Sequence, residues 1–191
     1  MPQGRTKPGR LNQVRIIGGQ YRRRLLHFPD VAGLRPTPDR VRETLFNWLG
    51  QDLTGLSCLD AFAGSGALGF EALSRGAARV LLLDRDARVL AALRESAREL
   101  GLSGAEILAA DGLSFLAGPG EAFDVIFLDP PFASDLLAGA LRGAATRLRP
   151  GGRIYAESPR PLEPQALADL GLALLRQGRA GASYHCLLEQ A

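Results

Sequence analysis

The sequence LDAFAGSGALG, at residues 59–69, contains the strongest structural signal in the chain. An apolar run ends at Asp60, a glycine-rich segment with Gly64 and Gly66 follows, and Gly69 lies where a helical pattern begins. This order predicts a strand, a tight loop and the first turns of a helix, an arrangement that binds nucleotide-like ligands. Glycines let the backbone approach a ligand closely, and the N-terminus of a helix presents free amide groups. We therefore predict a ligand site at this loop.

Asp60 narrows the identity of that ligand. The spacing Gly64-x-Gly66-x-x-Gly69 also fits dinucleotide-binding proteins, so the glycines alone leave the ligand open. A carboxylate here would repel the phosphates of a dinucleotide, whereas S-adenosylmethionine carries a sulfonium and an ammonium group and no phosphate. Asp60 therefore favours S-adenosylmethionine. The competing interpretation is a glycine turn that only packs a helix against a sheet.

Length and composition indicate one main domain. The chain has 191 residues, of which 46% are hydrophobic, enough for one substantial core. Cys58 and Cys186 lie far apart in apolar runs without metal-type spacing, which predicts buried reduced thiols and no metal site. The chain has no apolar run of roughly eighteen residues and no apolar signal core at its N-terminus, so we expect a soluble, cytoplasmic protein.

The N-terminal part of the chain is strongly basic. Residues 1–42 contain ten basic and two acidic side chains, although the whole chain has a formal net charge of only +3. Arginine suits phosphate because its planar fork donates two hydrogen bonds at once, so this asymmetry predicts that the N-terminal segment faces a polyanion. A solvated basic tail is the alternative. The arginines assigned to RNA are Arg10, Arg15, Arg22, Arg23, Arg24, Arg35 and Arg40.

Two structural features, a basic tail and a β-hairpin, are predicted at the N-terminus of the chain. Residues 1–12 are polar and basic, and we expect them to be disordered in isolation. Residues 14–17 and 21–28 predict a β-hairpin with a tight turn at Gly18-Gly19. The three arginines at 22–24 would lie on its second strand, so the hairpin is predicted to be too polar for the core and to form an RNA-contacting extension, at residues 1–34.

A linker and a helix connect this extension to the main body. In the segment LRPTP, at residues 34–38, Thr37 is predicted to cap a helix that has Pro38 at its first position. Apolar residues recur at helical spacing from Val41 onward, and Gly50 is expected to end the helix.

Residues 35–191 predict a single α/β domain in which strands and helices alternate. The pattern indicates a mostly parallel sheet that is covered by helices on both faces and closed by an antiparallel hairpin. The predicted strands are 57–61, 79–83, 105–109, 123–128, 152–157, 172–177 and 183–189, seven in all. The predicted helices are 67–75, 87–100, 113–116, 134–148 and 163–170.

Four aspartates follow four successive predicted strands: Asp60, Asp84, Asp111 and Asp129. Ligands of open α/β sheets bind outside the carboxyl ends of the strands, so these acids should converge on one cleft. Asp84 lies twenty positions after Gly64, the spacing at which a carboxylate receives both ribose hydroxyls of either NAD or S-adenosylmethionine. Asp111 is placed to accept a hydrogen bond from an adenine amine, with Phe62 or Leu113 beside the ring. A helix cap is the alternative for each acid alone.

The sequence DPPF, at residues 129–132, is the sharpest catalytic signal. Pro130 and Pro131 fix the backbone and leave carbonyl groups as bare acceptors. An amine held between the Asp129 carboxylate and the Pro130 carbonyl would aim its lone pair at an electrophilic methyl group. Phe132 would offer a flat face for a flipped-out base. A proline-rich turn after a buried strand is the alternative.

These motifs together resemble those of class I S-adenosylmethionine-dependent methyltransferases, with their Rossmann-like fold, and DPPF resembles the motif of members that act on exocyclic amines. RIIGG at 15–19 and LRPTPDRVRETLFNWL at 34–49 are similar to the bacterial small-subunit rRNA guanine-N2 methyltransferase family. The resemblance runs from about residue 15 to the C-terminus. It implies N2-methylguanine in a hairpin loop of 16S rRNA as product.

The resemblance also implies a partner and a set of site residues. We expect a monomer that acts on 16S rRNA within the assembled or assembling small subunit and releases S-adenosylhomocysteine. The catalytic residues would be Asp129, Pro130, Pro131 and Phe132. The cofactor-binding residues would be Asp60, Phe62, Gly64, Gly66, Asp84, Arg85, Asp111, Gly112 and Asp129.

Three other functions remain open on the sequence. Adenine-N6 methylation of DNA would use the same Pro-Pro-aromatic motif, but the chain shows no DNA-reading domain. An NAD-binding oxidoreductase needs only the glycines and Asp84, which leaves Asp60 and the two prolines without a role. A catalytically inactive RNA-binding factor would have no need of the complete set of acids.

Overall fold

A seven-stranded sheet forms the centre of the computed structural model, which describes residues 11–131 and 136–191. The predicted disordered segment at 1–12 therefore lies mostly outside the described residues, as do Arg10 and Phe132. The strands are β1 (Leu11–Arg15), β2 (Leu25–Pro29), β3 (Ser57–Asp60), β4 (Arg79–Asp84), β5 (Ala105–Ala109), β6 (Phe123–Leu128), β7 (Leu148–Ser158), β8 (Leu172–Ala180) and β9 (Ser183–Gln190).

The order of strands in the sheet places a crevice at its centre. The order is β5-β4-β3-β6-β7-β9-β8, in which β3 to β7 run parallel and β8 and β9 pair antiparallel. The chain proceeds from β3 outward to β5 and then returns to the other side of β3 with β6. This reversal opens a crevice at the carboxyl ends of β3 and β6. The predicted mostly parallel seven-stranded sheet with a closing hairpin is confirmed.

Helices cover both faces of the sheet. They are α1 (Asp39–Trp48), α2 (Ala67–Ser74), α3 (Ala87–Leu100), α4 (Gly112–Ala117), α5 (Leu136–Thr146) and α6 (Pro164–Ala168). Successive strand residues point to opposite faces, so Leu82 joins one apolar cluster and Leu81 the other. The first cluster contains residues of α1, α2 and α3, and the second those of α4, α5 and α6. No helix of the described ranges is long and apolar enough to cross a membrane.

Several predicted boundaries agree with the structure to the residue, whereas β7 does not. The predictions for β5, β6 and α3 are confirmed. β7 was predicted at 152–157 but spans Leu148–Ser158, with a register shift between Phe123 and Val125 of the neighbouring β6. The sequence Pro150-Gly151-Gly152 is typical of a turn, and the irregular pairing accommodates it within the strand. Residues 134 and 135 of the predicted fifth helix lie outside the described residues.

The N-terminal hairpin exists, but its predicted turn is wrong. β1 pairs antiparallel with β2 from Leu11↔Pro29 to Arg15↔Leu25, so residues 16–24 form a longer loop. Gly19 serves packing rather than a tight turn, because a Cβ atom there would lie 1.8 Å from the carbonyl oxygen of Ser74. The arginines at 22–24 accordingly lie in the loop and not on the second strand, and all three are exposed.

The prediction that the hairpin is too polar for the core is also wrong. Its inward side chains Val14, Ile16, Leu26 and Phe28 are buried and belong to the first apolar cluster. Strand alternation explains this, because Val14, Leu26 and Phe28 share the inward face of β1 and β2, whereas Leu11 and Leu25 lie on the exposed face. The hairpin is part of the packed body.

The predicted helix cap at Thr37 is wrong as well. Pro38 occupies the N-cap position of α1, no side chain caps the helix, and Thr37 is buried. Its hydroxyl group makes long-range contacts with the crevice instead, as described below. Cys58 and Cys186 are buried free thiols, and burial raises the pKa of each to about 12, which makes both unreactive.

Candidate active site

Three buried or half-buried carboxylates meet at the crevice, and we call Asp60, Asp129 and Glu157 the acid cluster. They lie at the carboxyl ends of β3, β6 and β7, which are adjacent in the sheet. Asp60 is 1% exposed and Glu157 is 6% exposed. Parallel strands end at the same edge, so three neighbouring strands deliver three acids to one place.

Backbone amides hold the carboxylate of Asp60 beside the loop of residues 61–66, which we call the glycine loop. Its Oδ2 accepts a hydrogen bond of 3.0 Å from the amide of Gly69, on α2. Burial raises the pKa of Asp60 to about 7, against the lowering effect of hydrogen bonds from the Gly69 and Phe62 amides, and the charge of Asp84 adds to the rise. A side chain at position 69 would clash with the sheet, because a Cβ there would lie 2.8 Å from Leu82. Close packing of α2 on the sheet therefore brings the Gly69 amide to Asp60.

Asp129 and Glu157 share one hydroxyl group. Thr37 Oγ1 lies 3.3 Å from Asp129 Oδ2 and 3.1 Å from Glu157 Oε1. Burial raises the pKa of Asp129 well above its ordinary value, and the charges of Glu157 and Asp60 raise it further. Glu157 also accepts hydrogen bonds from Tyr155 (2.8 Å) and Ser183 (3.2 Å).

The acid cluster has no basic partner within residues 11–131 and 136–191. None of its three carboxylates forms an ion pair with an arginine, lysine or histidine of these ranges. In the same ranges, no group of three or more His, Cys, Asp or Glu side chains is arranged so that it could hold a metal ion. Buried carboxylates without a counter-charge favour binding of a cation in the crevice.

The glycine loop fixes the carboxylate of Asp84. Gly64 and Gly66 have positive φ angles of 50° and 78°, and Gly66 is the N-cap residue of α2. The amide of Gly64 donates to Asp84 Oδ2 (3.1 Å), and the amide of Asp86 donates to Oδ1 (2.9 Å). Each oxygen keeps a lone pair for a further donor, so the carboxylate is oriented to receive two hydroxyl groups.

The other predicted cofactor residues lie beside β5 and β3. Asp111 is the N-cap of α4, where its Oδ1 accepts from the amide of Ser114 (2.8 Å). Its Oδ2 is 3.5 Å from the exposed guanidinium of Arg85. A Cβ on Gly112 would lie 2.1 Å from the carbonyl oxygen of Ala61 and 3.2 Å from the Phe62 ring. Gly112 therefore allows the α4 N-terminus to approach the loop after β3.

Part of the predicted catalytic motif lies in the described chain. Asp129 is half-buried, Pro130 is buried and Pro131 is exposed at the mouth of the crevice. Phe132 lies outside the described residues, so its predicted stacking role stays a prediction.

The basic residues separate into two groups in the structure. Arg22, Arg23, Arg24, Arg35 and Arg40 are exposed, and Arg15 is exposed although it pairs with Asp39 at 2.7 Å. Arg42, which contributes to the basic excess of residues 1–42, is instead fully buried. Its location corrects the interpretation that the whole excess faces a polyanion.

Arg42 belongs to a second buried polar group, which we call the arginine clamp: Asp39, Arg42, Glu71 and Arg75. Arg42 contacts Asp39 at 2.5 Å and Glu71 at 3.4 Å, and Arg75 contacts Glu71 at 2.9 Å. The carboxylate of Glu71 also accepts from the amides of Ile17 and Gly18, both at 2.8 Å. The clamp therefore ties the hairpin loop to α1 and α2.

Sequence reasoning missed Thr37 and Glu157 as residues of the site. Glu157 lies at the carboxyl end of a parallel strand, so the rule that selected the four aspartates would also have selected it. Thr37 gave no such signal, because its threonine-proline sequence is typical of a helix start.

This fold and the acid-lined crevice beside a glycine loop define the class I, Rossmann-like methyltransferase fold. The Escherichia coli structure titled "Putative methyltransferase yhhF" superposes with a TM-score of 0.82 at 39% identity, over 94% of this chain and 98% of that one. A Thermus thermophilus structure titled "16S rRNA N2 G1207 methyltransferase (RsmC) in complex with AdoMet and Guanosine" gives a TM-score of 0.76 at 26% identity, over 95% of this chain and 50% of that one.

Sequence comparison identifies the family within this class. The chain belongs to the family described as conserved hypothetical protein 95, which matches residues 14–189. It is 51% identical to "Ribosomal RNA small subunit methyltransferase D" of Escherichia coli over 125 residues, and this match spans 65% of the chain and 63% of the relative. The Haemophilus influenzae protein of the same name is 45% identical over 157 residues, 79% of the chain and 81% of the relative.

Proposed function

We propose that the protein transfers a methyl group from S-adenosylmethionine to the exocyclic N2 of a specific guanine in 16S rRNA of the small ribosomal subunit. The observation that carries the proposal is the position of Asp129, which opens the Asp-Pro-Pro motif at the end of β6 and lies beside Asp60 at the end of β3. A ligand in this crevice meets the acid cluster and the proline-fixed backbone together. The names of the relatives and of the RsmC structure support the same activity.

The residues of the crevice fit the cofactor electrostatically. S-adenosylmethionine supplies an electrophilic methyl group on a sulfonium and carries a second positive charge on its ammonium group. Asp60 and Asp129 both have raised pKa values, and no basic side chain of the described ranges pairs with them. A cationic ligand would lower both pKa values and favour the ionised carboxylates.

The remaining cofactor assignments follow the shape of the loop. Gly64 and Gly66 would lie against the methionine part, and the fixed carboxylate of Asp84 would accept both ribose hydroxyls. At the adenine end, Asp111 would accept a hydrogen bond from the amine while Phe62 packs beside the ring. Arg85 and Gly112 border the same end of the crevice.

The Asp-Pro-Pro segment would orient the nucleophile. The guanine N2 lone pair is delocalised into the ring, which makes it a poor nucleophile, so orientation matters more than a strong base. Asp129 would accept one hydrogen bond from the amine and the Pro130 carbonyl another, which aims the lone pair away from both. Asp129 would then take the proton late in the transfer. Pro131 restricts the segment, and Phe132 would stack on the base.

We assign the rRNA contact to the N-terminal side of the molecule. Residues 1–34 would act as a basic extension to a methyltransferase domain at residues 35–191. The exposed arginines supply the charge, and the arginine clamp holds the hairpin loop against that domain. The proposed contacts are Arg10, Arg15, Arg22, Arg23, Arg24, Arg35 and Arg40. We propose that the enzyme works as a cytoplasmic monomer on the assembled or assembling subunit.

A transfer assay tests this function. The protein is incubated with methyl-labelled S-adenosylmethionine and, in parallel, small subunits, bare 16S rRNA and duplex DNA from a strain that lacks the enzyme. We expect label in the ribosomal substrates, found by mass spectrometry as N2-methylguanine. Transfer to adenine in duplex DNA alone would contradict the proposal. Binding of NAD without binding of S-adenosylhomocysteine would favour an oxidoreductase.

A further inference from the structure

The hydroxyl of Thr37 lies between two carboxylates and cannot satisfy both at once. Its oxygen is 3.3 Å from Asp129 Oδ2 and 3.1 Å from Glu157 Oε1. A threonine hydroxyl has a single proton to donate, so the second contact is a hydrogen bond only when that carboxyl itself carries a proton. The arrangement therefore suits one additional proton shared along Asp129, Thr37 and Glu157.

The contacts continue from Glu157 toward the surface. Glu157 Oε2 lies 3.2 Å from the hydroxyl of Ser183, which is half-buried at the start of β9. Residues 181 and 182, in the adjoining turn, are exposed. Tyr155 donates to the other oxygen, Oε1, at 2.8 Å and is fully buried, so it fixes Glu157 without leading to solvent. A chain of hydrogen-bonding groups thus joins the crevice to the β8–β9 turn.

We propose that Thr37 and Glu157 are positioning residues that relay the substrate proton away from Asp129, with Ser183 as its outlet; this rests on the methyl transfer proposed above. As the nitrogen–carbon bond forms, the carbon–sulfur bond breaks and its electron pair stays on sulfur. The substrate nitrogen then loses a proton to Asp129, and the N–H electron pair stays on nitrogen. Asp129 passes the proton to the Thr37 oxygen, while the Thr37 proton moves to Glu157 Oε1.

The relay restores Asp129 and keeps the charge balanced. After the two shifts, Asp129 is again a carboxylate, Thr37 is again a hydroxyl and Glu157 is a carboxylic acid with its proton on Oε1. Because Ser183 contacts the other oxygen, Oε2, the Glu157 carboxyl group rotates by half a turn and exchanges the positions of its two oxygens. The Ser183 hydroxyl then accepts this proton and releases its own proton to solvent. No additional reactant is required.

The charged and titratable groups around the relay come from four elements. Two of these groups carry acidic protons: Asp60 of β3 faces Asp129, and Tyr155 lies next to Glu157 on β7. His185 of β9 faces Glu157, and burial lowers its pKa, which favours the neutral ring. The guanidinium of Arg42, on α1, donates to the carbonyl oxygen of Thr37 at 3.1 Å. These surroundings leave Glu157 as the charge that most directly opposes ionisation of Asp129 after burial.

The relay predicts opposite shifts in the pH dependence of kcat for two substitutions. Glu157→Gln removes a negative charge beside Asp129, so the acidic limb should move to lower pH by about one unit. Thr37→Val removes a hydrogen bond that stabilises the Asp129 carboxylate, so the acidic limb should move to higher pH. Both should lower the plateau of kcat roughly tenfold, because the proton has lost its path.

Matched variants separate the relay from a packing role. Thr37→Ser keeps the hydroxyl and should retain the acidic limb of the wild type. Thr44→Val is the control for Thr37→Val, because it makes the same change in α1, where the hydroxyl donates to the carbonyl of Arg40. Calorimetry with S-adenosylhomocysteine should give affinities within about threefold of wild type for every variant, which reports an intact site. Identical limbs in Glu157→Gln, Thr37→Val and wild type would overturn the relay.

A measurement on the unaltered protein guards against variants that fail to fold. Carboxyl carbon-13 NMR with bound S-adenosylhomocysteine should show the Asp129 signal titrating in two macroscopic steps, because its proton is shared through Thr37. A single step at the ordinary aspartate value would refute the shared proton. The two proposals fail differently: no transfer to 16S rRNA by the wild type removes the function, whereas transfer with unshifted limbs removes only the relay.

Discussion

The molecule contains two buried polar clusters that differ in the balance of their charges. In the arginine clamp, Glu71 meets two arginines and two backbone amides, and the fully buried Arg42 also contacts Asp39. In the acid cluster, three carboxylates share hydroxyl and amide donors, and no basic side chain of the described ranges pairs with them. Long-range contacts hold both together, although the clamp also contains two local ion pairs, Arg42–Asp39 and Arg75–Glu71.

The comparison distinguishes buried charges that stabilise the fold from buried charges that are available to bind a ligand. A buried ion pair with its hydrogen bonds satisfied is costly to break, because either partner alone is left as an uncompensated charge. Unpaired buried carboxylates shift their pKa values upward instead, as Asp60 and Asp129 do. Removal of a clamp residue should therefore reduce stability, and removal of a crevice residue should reduce turnover.

The largest effect is expected from Glu71→Ala in the clamp. This change leaves Arg42 without one of its two acidic partners and the amides of Ile17 and Gly18 without their acceptor. We expect the free energy of unfolding to fall by about 3–5 kcal/mol, measured by chemical denaturation. Glu106→Ala is the matched control, because Glu106 pairs with Arg79 at the surface and should cost about 1 kcal/mol or less. Equal losses for the two variants would remove the distinction between clamp and surface pairs.

The second prediction concerns Asp129→Ala in the acid cluster. We expect kcat to fall roughly 100- to 1,000-fold, about 3–4 kcal/mol in activation free energy, because the amine loses both its orienting group and its proton acceptor. Affinity for S-adenosylmethionine should stay within a few-fold, and the free energy of unfolding should not fall. Asp169→Ala, at an exposed position after α6, should leave kcat unchanged. Normal turnover by Asp129→Ala would contradict its role.

The two clusters also differ in how far the sequence predicts them. Four aspartates were selected at or just after the ends of strands that the structure contains: Asp60, Asp84, Asp111 and Asp129. Short-range patterns suffice there, because alternating strands and helices place all parallel strand ends at one edge. The glycine loop followed by α2 was predictable for the same reason.

Only part of the clamp could be predicted, because Arg42–Asp39 and Arg75–Glu71 are local pairs but the contacts that join Arg42 to Glu71 link segments far apart in the chain. Arg42 lies three and four positions before the buried Leu45 and Phe46, unlike the exposed Arg40, yet the sequence does not show which acid neutralises it. Its burial depends on Glu71, twenty-nine positions later, and on the carbonyl of Arg15, twenty-seven positions earlier. The hairpin turn was mispredicted for a related reason. Position 19 requires a glycine because it packs against the backbone of Ser74, and not because it forms a tight turn between β1 and β2.

The third prediction concerns the pH dependence of stability that Asp60 causes. Burial raises the pKa of Asp60 to about 7, so the folded protein binds a proton at this carboxyl more tightly than the unfolded chain does. The resulting stabilisation is fully present below the ordinary aspartate pKa and is lost as pH rises through about 7. Between pH 4 and 7, the free energy of unfolding should fall by about 2–3 kcal/mol more in the wild type than in Asp60→Asn. Denaturation without cofactor at both pH values measures this difference.

Addition of S-adenosylmethionine should reduce that pH dependence, because a cationic ligand stabilises the ionised carboxylates. Parallel pH curves for wild type and Asp60→Asn would show that Asp60 is ionised in the folded protein despite its burial. The acid cluster would then be balanced by a charge other than the ligand, and the contrast with the clamp would be lost.

The smallest effect is expected at the surface that the clamp holds in place. Replacement of Arg22, Arg23 and Arg24 by serine should weaken binding to small subunits roughly tenfold, about 1.4 kcal/mol, and flatten the salt dependence of affinity, because fewer phosphates are neutralised. Stability should change little, since all three side chains are exposed. The control replaces three exposed arginines of α3, α5 and β8, Arg94, Arg142 and Arg176, with the same loss of charge. Equal weakening by both triple variants would mean that the affinity depends on the net charge of the protein and not on a contact of residues 22–24 with the RNA.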